Sequence, residues 1–418
     1  MRGNPIISLL IFSIIILAID FYVFWGIRKI TRDYRALVKK IVTIAFWFVP
    51  VFSISGLVMI FLFRESISPA KTMTWFYYVS GPFILFYVPK LIFILFNLVD
   101  DIYFLIRKLV TQVQTKSNAE KRTITRRKFL TQVGIVTAGI PFLSLFYGIV
   151  YGRFDFTVRK LKLKFKSFPK EMNGLKVVQI SDFHIGSFLG KKKTIDEAVD
   201  LINQQHADIL LFTGDFVNNV STEVDEFIES LKNLKARIGK FSVLGNHDYG
   251  EYVRWPSVEE KKKNLNRLIK IQQDIGFDLL LNESRTIELN GANFELLGVE
   301  NWGLPPFPQY GDLEKTLSGS NSESFQILMS HDPTHFSAQV AGKTNIDLTL
   351  SGHTHGAQFG IEIPGWRWSP VNLRYKYWGG LYEEANQKIY VNTGIGFIGF
   401  PGRVGMPPEI TVFEIEQG

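Results

Sequence analysis

Leu175-Lys176-Val177-Val178-Gln179-Ile180-Ser181-Asp182-Phe183-His184 sets the reading of the whole chain. Its first six residues form an apolar, β-rich run of strand length that stops at a polar Asp-x-His. The same grammar recurs downstream. Residues 208–212 lead into Thr213-Gly214-Asp215, and 241–244 into Gly245-Asn246-His247-Asp248. Residues 325–329 lead into Ser330-His331-Asp332, and 347–350 into Ser351-Gly352-His353-Thr354-His355. Helical patterns at 193–205, 222–234 and 258–275 separate these runs, and Asn290-Gly291 marks a hairpin turn. Residues 151–418 therefore read as one α/β domain.

Open α/β sheets bind their ligands beyond the carboxyl ends of their strands, so five polar clusters are expected to converge on one rim. Singly, each cluster is a weak signal, because a strand-end Asp commonly caps a loop and a loop His is commonly just solvated. Jointly they are strong: five of the seven histidines, with two Asp and one Asn, each follow a predicted strand. Two divalent ions about 3.5–4 Å apart need a bridging carboxylate, neutral imidazoles and an open edge for water and substrate. Asp182, His184, Asp215, Asn246, His247, His331, His353 and His355 are the donors these clusters offer to such a site. Carboxylate, amide and imidazole donors suit Mn, Fe, Zn, Co or Ni. With no cysteine in 418 residues, disulfides and thiolate zinc sites are excluded. His206 and His335 fall outside the pattern and read as ordinary histidines.

Working outward toward the N-terminus, composition changes completely. Residues 1–150 read as an all-α membrane region of about four spans, at 5–27, 41–63, 73–99 and 129–150, since about 20 apolar residues cross a bilayer. Asp20 and Lys90 read as isolated charges at the interface, with Lys90, beside Pro89, kinking or ending the third span. Arg28, Lys29, Arg32, Arg35, Lys39 and Lys40 crowd the first connection, whereas the second holds Arg64 and Lys71. That asymmetry places the first connection in the cytoplasm. The third connection, with Arg107, Lys108, Lys116, Lys121, Arg122, Arg126, Arg127 and Lys128, is then cytoplasmic too, and the α/β domain is extracytoplasmic. Three spans would reverse that last step. Thr125-Arg126-Arg127-Lys128-Phe129-Leu130 is similar to a twin-arginine export signal and equally to the basic flank of an ordinary span. The alternation of Leu161, Leu163 and Phe165 with Lys162, Lys164 and Lys166 reads as a half-buried strand. The formal charge of +8 follows largely from residues flanking apolar spans, so nucleic acid is not an expected partner.

The ordered set Asp182-x-His184, Gly214-Asp215, Gly245-Asn246-His247-Asp248, His331 and Gly352-His353-Thr354-His355 resembles the calcineurin-like metallophosphoesterases. The resemblance implies a β-sandwich flanked by helices. It implies a first metal on Asp182, His184 and His355, a second on Asn246, His331 and His353, and Asp215 between them. His247 would then touch substrate, and the expected chemistry is attack on phosphorus by a metal-bridging hydroxide. In that scheme His247 protonates the leaving oxygen while Asp248 holds its ring. The continuation Gly356-Ala357-Gln358 and the closing Pro407-Pro408-Glu409-Ile410 are similar to the membrane-attached or exported bacterial branch, which implies a multi-pass protein of the bacterial cytoplasmic membrane. Phe216-Val217-Asn218 lacks the Asp-Arg pair of the phosphoprotein phosphatases, which argues against that activity.

The substrate is expected to be a phosphate ester, lipid-linked or nucleotide-linked, with membrane lipid as partner. A cytoplasm-facing hydrolase of a UDP-2,3-diacylglucosamine-type pyrophosphate is the alternative. A metal-containing partner-binding scaffold is the non-enzymatic one, although scaffolds of this fold typically lack a ligand or catalytic residue and none is missing here. Arg403 is a candidate phosphate contact, with a surface or loop-packing arginine as the favoured alternative. The aromatic stretches at 302–308, 366–368 and 397–403 either pack their own loops or meet lipid.

Overall fold

The computed structural model describes residues 5–63, 68–110 and 117–418. Arg64 and Lys116 lie outside the described residues. So do the side chains of Arg107, Lys108, Lys121, Arg122, Arg126, Arg127 and Lys128, and with them the twin-arginine reading. The chain divides into two compact units, Met1–Ile67 with Trp75–Tyr147, and Ser68–Thr74 with Gly148–Gly418.

Apolar residues on every face leave the N-terminal segments no option but long helices. These are α1 (Pro5–Ile30), α2 (Ala36–Phe63), α3 (Pro69–Val110) and α4 (Ser117–Val150). Four stretches are long and apolar enough to cross a membrane: Ile6–Asp33, Ala36–Phe63, Pro69–Tyr103 and Gln132–Phe154. Helix α3 continues through both Pro82 and Pro89, so it does not end at Lys90. Nor are Asp20 and Lys90 isolated. Lys90 Nζ lies 2.5 Å from Asp20 Oδ1, the Tyr87 hydroxyl donates to Asp20 Oδ2 at 2.6 Å, and the Lys90 ammonium sits over the rings of Phe46 and Tyr87. Asp20 is fully buried. Among apolar helices a charge persists only when an opposite charge and hydrogen bonds satisfy it, and that need joins α1 to α3.

The second unit is a two-sheet sandwich. Its strands are β1 (Thr157–Phe165), β2 (Leu175–Ile180), β3 (Ile209–Phe212), β4 (Gly239–Ser242), β5 (Asp278–Leu279), β6 (Glu283–Leu289) and β7 (Ala292–Gly298). They continue with β8 (Gln326–Met329), β9 (Leu348–Ser351), β10 (Ile361–Ile363), β11 (Trp366–Trp368), β12 (Gly380–Glu384), β13 (Gln387–Val391) and β14 (Glu409–Gln417). One sheet has the order β1-β14-β2-β3-β4-β5 and the other β12-β13-β9-β8-β7-β6, while β10 and β11 pair apart from both. In each large sheet the central pairs are parallel: β2, β3 and β4 in the first, and β13, β9, β8 and β7 in the second. Of these strands β3 (Ile209-Leu210-Leu211-Phe212) is apolar and buried throughout, because both of its faces are covered.

Val177, Leu211 and Phe241 from the first sheet meet Leu296, Ile327, Leu348 and Leu350 from the second in one continuous core. Helices α5 (Lys192–Asn203), α6 (Ile228–Lys232) and α7 (Val258–Ile275) pack on one another, and α8 (Leu313–Ser318) packs against β6 and β7. The expected hairpin turn is present: Asn290 (φ 53°) and Gly291 (φ 79°) are both left-handed, as a type I′ turn requires. At the β1 edge Leu163 and Phe165 are buried while Lys162 and Lys164 are exposed and pair with Glu414 and Glu416. The basic run after the last span is therefore a strand's solvent face, and charge on that edge discourages pairing with other chains.

Candidate functional site

Parallel β2, β3, β8 and β9 end on one rim, and the chain reverses sharply as it leaves them. Asp182 (φ 51°), His184 (φ 43°), Asp215 (φ 61°), His353 (φ 72°) and His355 (φ 52°) all take left-handed backbone. Asp and His tolerate that region better than branched residues, yet each instance costs roughly 1–3 kcal/mol and persists only where the surroundings enforce it. The enforcement is visible: Asp182 N–H donates to Gly214 O, His184 N–H to Asp215 O, and Gly352 N–H to His331 O. Two glycines permit the close approach. A methyl group at Gly245 would collide with the Asp215 carboxylate, and one at Gly352 with Asp182 and Ser181.

The result is two groups of side chains sharing one carboxylate. On one side His355 Nε2 lies 3.3 Å from Asp182 Oδ1, and His184 Nε2 lies 3.5 Å from Asp215 Oδ2. On the other, His331 Nε2 lies 3.1 Å from the same Asp215 Oδ2, and His353 Nδ1 lies 2.8 Å from Asn246 Oδ1 and 3.3 Å from His331 Nε2. Asp182, His184 and His355 form one set with ligand atoms mutually within 4.8 Å, and Asp215, His331 and His353 another. A third grouping, His184, Asp215 and His247, meets the same distance. All seven candidate ligands are thus brought together, as is His247.

The outer partners set which nitrogen points inward. His331 Nδ1 donates to the Thr213 carbonyl (2.8 Å), and His353 Nε2 meets the Tyr375 hydroxyl (2.9 Å), leaving the opposite nitrogens facing the centre. His184 Nε2 and His355 Nε2 are buried with no hydrogen-bond partner. Such orphaned nitrogens inside a polar centre are the expected signature of metal ligands. Burial drives His184 well below its ordinary pKa, which keeps it a neutral imidazole. Burial would raise Asp215 and Asp182, but the surrounding histidines hold both below the usual carboxylate range. His331 is pushed up to about 10, because Asp215 and Asp182 overcome the burial that would lower it. Two buried carboxylates thus draw positive charge into the centre, and the residues present fit divalent cations.

Two sequence-based expectations need correction. Asp248 does not hold the His247 ring. Its carboxylate accepts from the backbone N–H groups of Gly245, Asp215, Phe216 and Val217, at 2.8–3.3 Å, and so ties the loops after β3 and β4 together. The His247 ring is held by the Asn218 carbonyl, 2.7 Å from Nδ1. Asp248→Ala is expected to cost about 3 kcal/mol or more, since four buried donors lose their acceptor, and to lower Tm by roughly 5–10 °C. If Asp248 instead oriented His247, melting of the full chain in detergent would show an unchanged Tm with depressed turnover.

Arg403 is likewise no open phosphate contact. It is 1% exposed, donates to the carbonyls of Thr393, Gly394 and Gly396, and places one nitrogen 3.2 Å from His355 Nδ1. It braces a histidine. His335 packs under the Trp302 ring with Ser330 and Gln339 on its nitrogens, and His206 lies at the surface, so both are ordinary as expected. Tyr375 and Tyr252, bonded to the Asn246 amide, escaped sequence reading. Asn218 and Phe307 (edge-on to His353 at 4.6 Å) lay in stretches the sequence singled out, without their contacts to the centre being foreseen.

Residues 175–357 match the family model for calcineurin-like phosphoesterases, and residues 2–153 match one described as a probable calcineurin-like phosphoesterase, transmembrane domain. An uncharacterized metallophosphoesterase of Bacillus subtilis is 31% identical over 309 residues, which cover 71% of this chain and 99% of that protein. One of Campylobacter jejuni is 26% identical over 418 residues, 97% of this chain and 98% of the relative. A transmembrane protein with metallophosphoesterase domain from Danio rerio is 26% identical over 279 residues, 65% of this chain and 60% of that longer protein. With both family models matched and a relative covered almost end to end, the chain belongs to the calcineurin-like metallophosphoesterase family, as a membrane-associated, metal-dependent phosphoesterase.

Proposed function

We propose that this chain hydrolyses a phosphate ester at a two-metal centre by direct attack of water. The observation that carries the reading is Asp215 Oδ2, which lies within 3.5 Å of a histidine nitrogen on each side. Asp182, His184 and His355 would hold one ion, Asn246, His331 and His353 the other, with Asp215 between them. When bound, such ions bring the pKa of water toward about 7 and offset phosphate charge. The protein's own contribution is orientation. The Thr213 carbonyl fixes the ring tautomer of His331, and the Tyr375 hydroxyl holds the His353 ring in place. Asn218 holds His247 Nδ1–H, which leaves Nε2 to pass a proton to the leaving oxygen. Phe307 and Tyr252 pack against the rings of His353 and His247 and help to hold them in place.

The reading is tested on the purified full chain in detergent. Elemental analysis is expected to find two divalent ions per chain, and hydrolysis of bis-p-nitrophenyl phosphate is expected to vanish with chelator and return with added Mn. Undiminished hydrolysis by chelated, metal-free protein would overturn it.

A further inference from the structure

Strands β10 and β11 form a hairpin whose exposed face is the wrong one for a soluble surface. Ile361 pairs with Trp368, Glu362 with Arg367 and Ile363 with Trp366. Residues opposite each other in an antiparallel pair share a face, so two Ile and two Trp lie on one side and the Glu-Arg pair on the other. The polar side is the one bound to the domain. Glu362 takes both arms of the Arg159 guanidinium, at 2.9 and 2.6 Å, while Arg367 donates to Gly379 O and lies over the Trp378 ring. The apolar side stands open: Ile361 is 49%, Ile363 54%, Trp366 51% and Trp368 37% exposed.

Position identifies the occupant. The base of the hairpin is bonded to Val404, through Gly360 N–H to Val404 O (2.9 Å) and Val404 N–H to Gln358 O (2.8 Å). The next residue, Arg403, donates its N–H to Gly148 O at 3.1 Å. Gly148 lies in the last turn of α4, at the end of the fourth apolar stretch, Gln132–Phe154. Two steps of backbone hydrogen bonding therefore separate the open face from the point where a membrane-crossing helix leaves its apolar stretch. That is interfacial depth, where Trp is enriched and where an apolar face gains by meeting lipid.

We propose that the Ile361–Trp368 hairpin is a membrane-interface anchor whose partner is the lipid bilayer that holds the helices. It inserts Ile361, Ile363, Trp366 and Trp368 among headgroups and upper acyl chains. The hairpin follows the His355–Gln358 turn directly and returns to Tyr375, whose hydroxyl meets His353. Seating it in lipid thus holds one wall of the centre at the bilayer surface. Phosphate esters carried on lipid are the substrate class this favours, a consequence that rests on the proposed hydrolase reading while the anchor itself does not.

The chain has no cysteine, so Ile363→Cys takes a single environment-sensitive fluorophore in the full-length protein. In nanodiscs of phosphatidylethanolamine and phosphatidylglycerol, emission at this position is expected to shift to the blue. It should also be strongly quenched by lipids carrying a nitroxide near the headgroup and be shielded from iodide. Ile361→Cys repeats the measurement at the hairpin base, and Glu229→Cys on α6 serves as the water-exposed reference. Emission and iodide access matching the Glu229 position would overturn the anchor. So would energy transfer between labelled copies without lipid quenching, which would assign the face to a second chain. Neither readout depends on turnover, so the anchor can fail or stand apart from the hydrolase.

Discussion

Asp215→Asn is expected to empty both halves of the centre at once. One oxygen of Asp215 sits 3.5 Å from His184 Nε2 and 3.1 Å from His331 Nε2, so in the proposed two-metal centre this single carboxylate would serve both ions. The amide keeps the shape and one acceptor, and the His247 N–H bond to Oδ1 (2.8 Å) survives, so the fold is retained. The charge is lost, and an N–H₂ group is turned toward the space between His184 and His331 that the proposed ions would flank. Loss of an outer-sphere partner costs roughly 10–100-fold in metal affinity, and loss of a shared ligand is expected to exceed that for each ion. Elemental analysis should find fewer than one ion per chain, with hydrolysis falling in proportion. A variant that still carried two ions at unchanged affinity would remove Asp215 from the bridging position.

Which parts of this centre were legible in sequence follows from how far apart the partners lie. Asp182, Asp215, His331 and His353 each follow a short apolar run, so strand period and loop chemistry announce them together, and parallel order sends all four to one rim. Asp248 was misread because its partners are backbone amides, three of them some thirty residues upstream at 215–217. A His-Asp neighbour in sequence suggested a side-chain pair that the fold does not make. Arg403 lies in a Gly/Pro-rich stretch, where the sequence favoured loop packing over phosphate contact, but only the fold shows that carbonyls at 393, 394 and 396 close around it. Tyr375 had no local signal, since only the return of the chain from the hairpin brings it to His353. Asp20 and Lys90, 70 residues apart, likewise reveal their pairing only when α1 meets α3. Three-residue strands such as β10 and β11 are too short for a period to show.

His247→Ala is expected to leave metal content intact and to cut turnover by about 10²–10⁴-fold on an ester with a poor, alkoxide leaving group. The ring meets His184 edge-on at 4.8 Å and is fixed by the Asn218 carbonyl, whereas the residue's link to Asp215 runs through its backbone N–H. Removing the side chain therefore spares the carboxylate. The dependence on leaving group separates two roles. p-Nitrophenolate departs without a proton, so an acid that protonates the leaving oxygen contributes little there, and the loss on bis-p-nitrophenyl phosphate should be far smaller than on an alkyl ester. Equal losses on both substrates would make His247 a stabiliser of phosphoryl charge and not an acid. A fall in metal content would make it a ligand, as the His184, Asp215 and His247 grouping allows geometrically. Nδ1 is already committed to the Asn218 carbonyl, so Nε2 is the nitrogen that can meet a leaving oxygen. Burial draws the ring's pKa below the ordinary value while Asp215 and the Asn218 carbonyl pull the other way, so an acid role requires turnover of the alkyl ester to fall as rising pH removes the imidazolium.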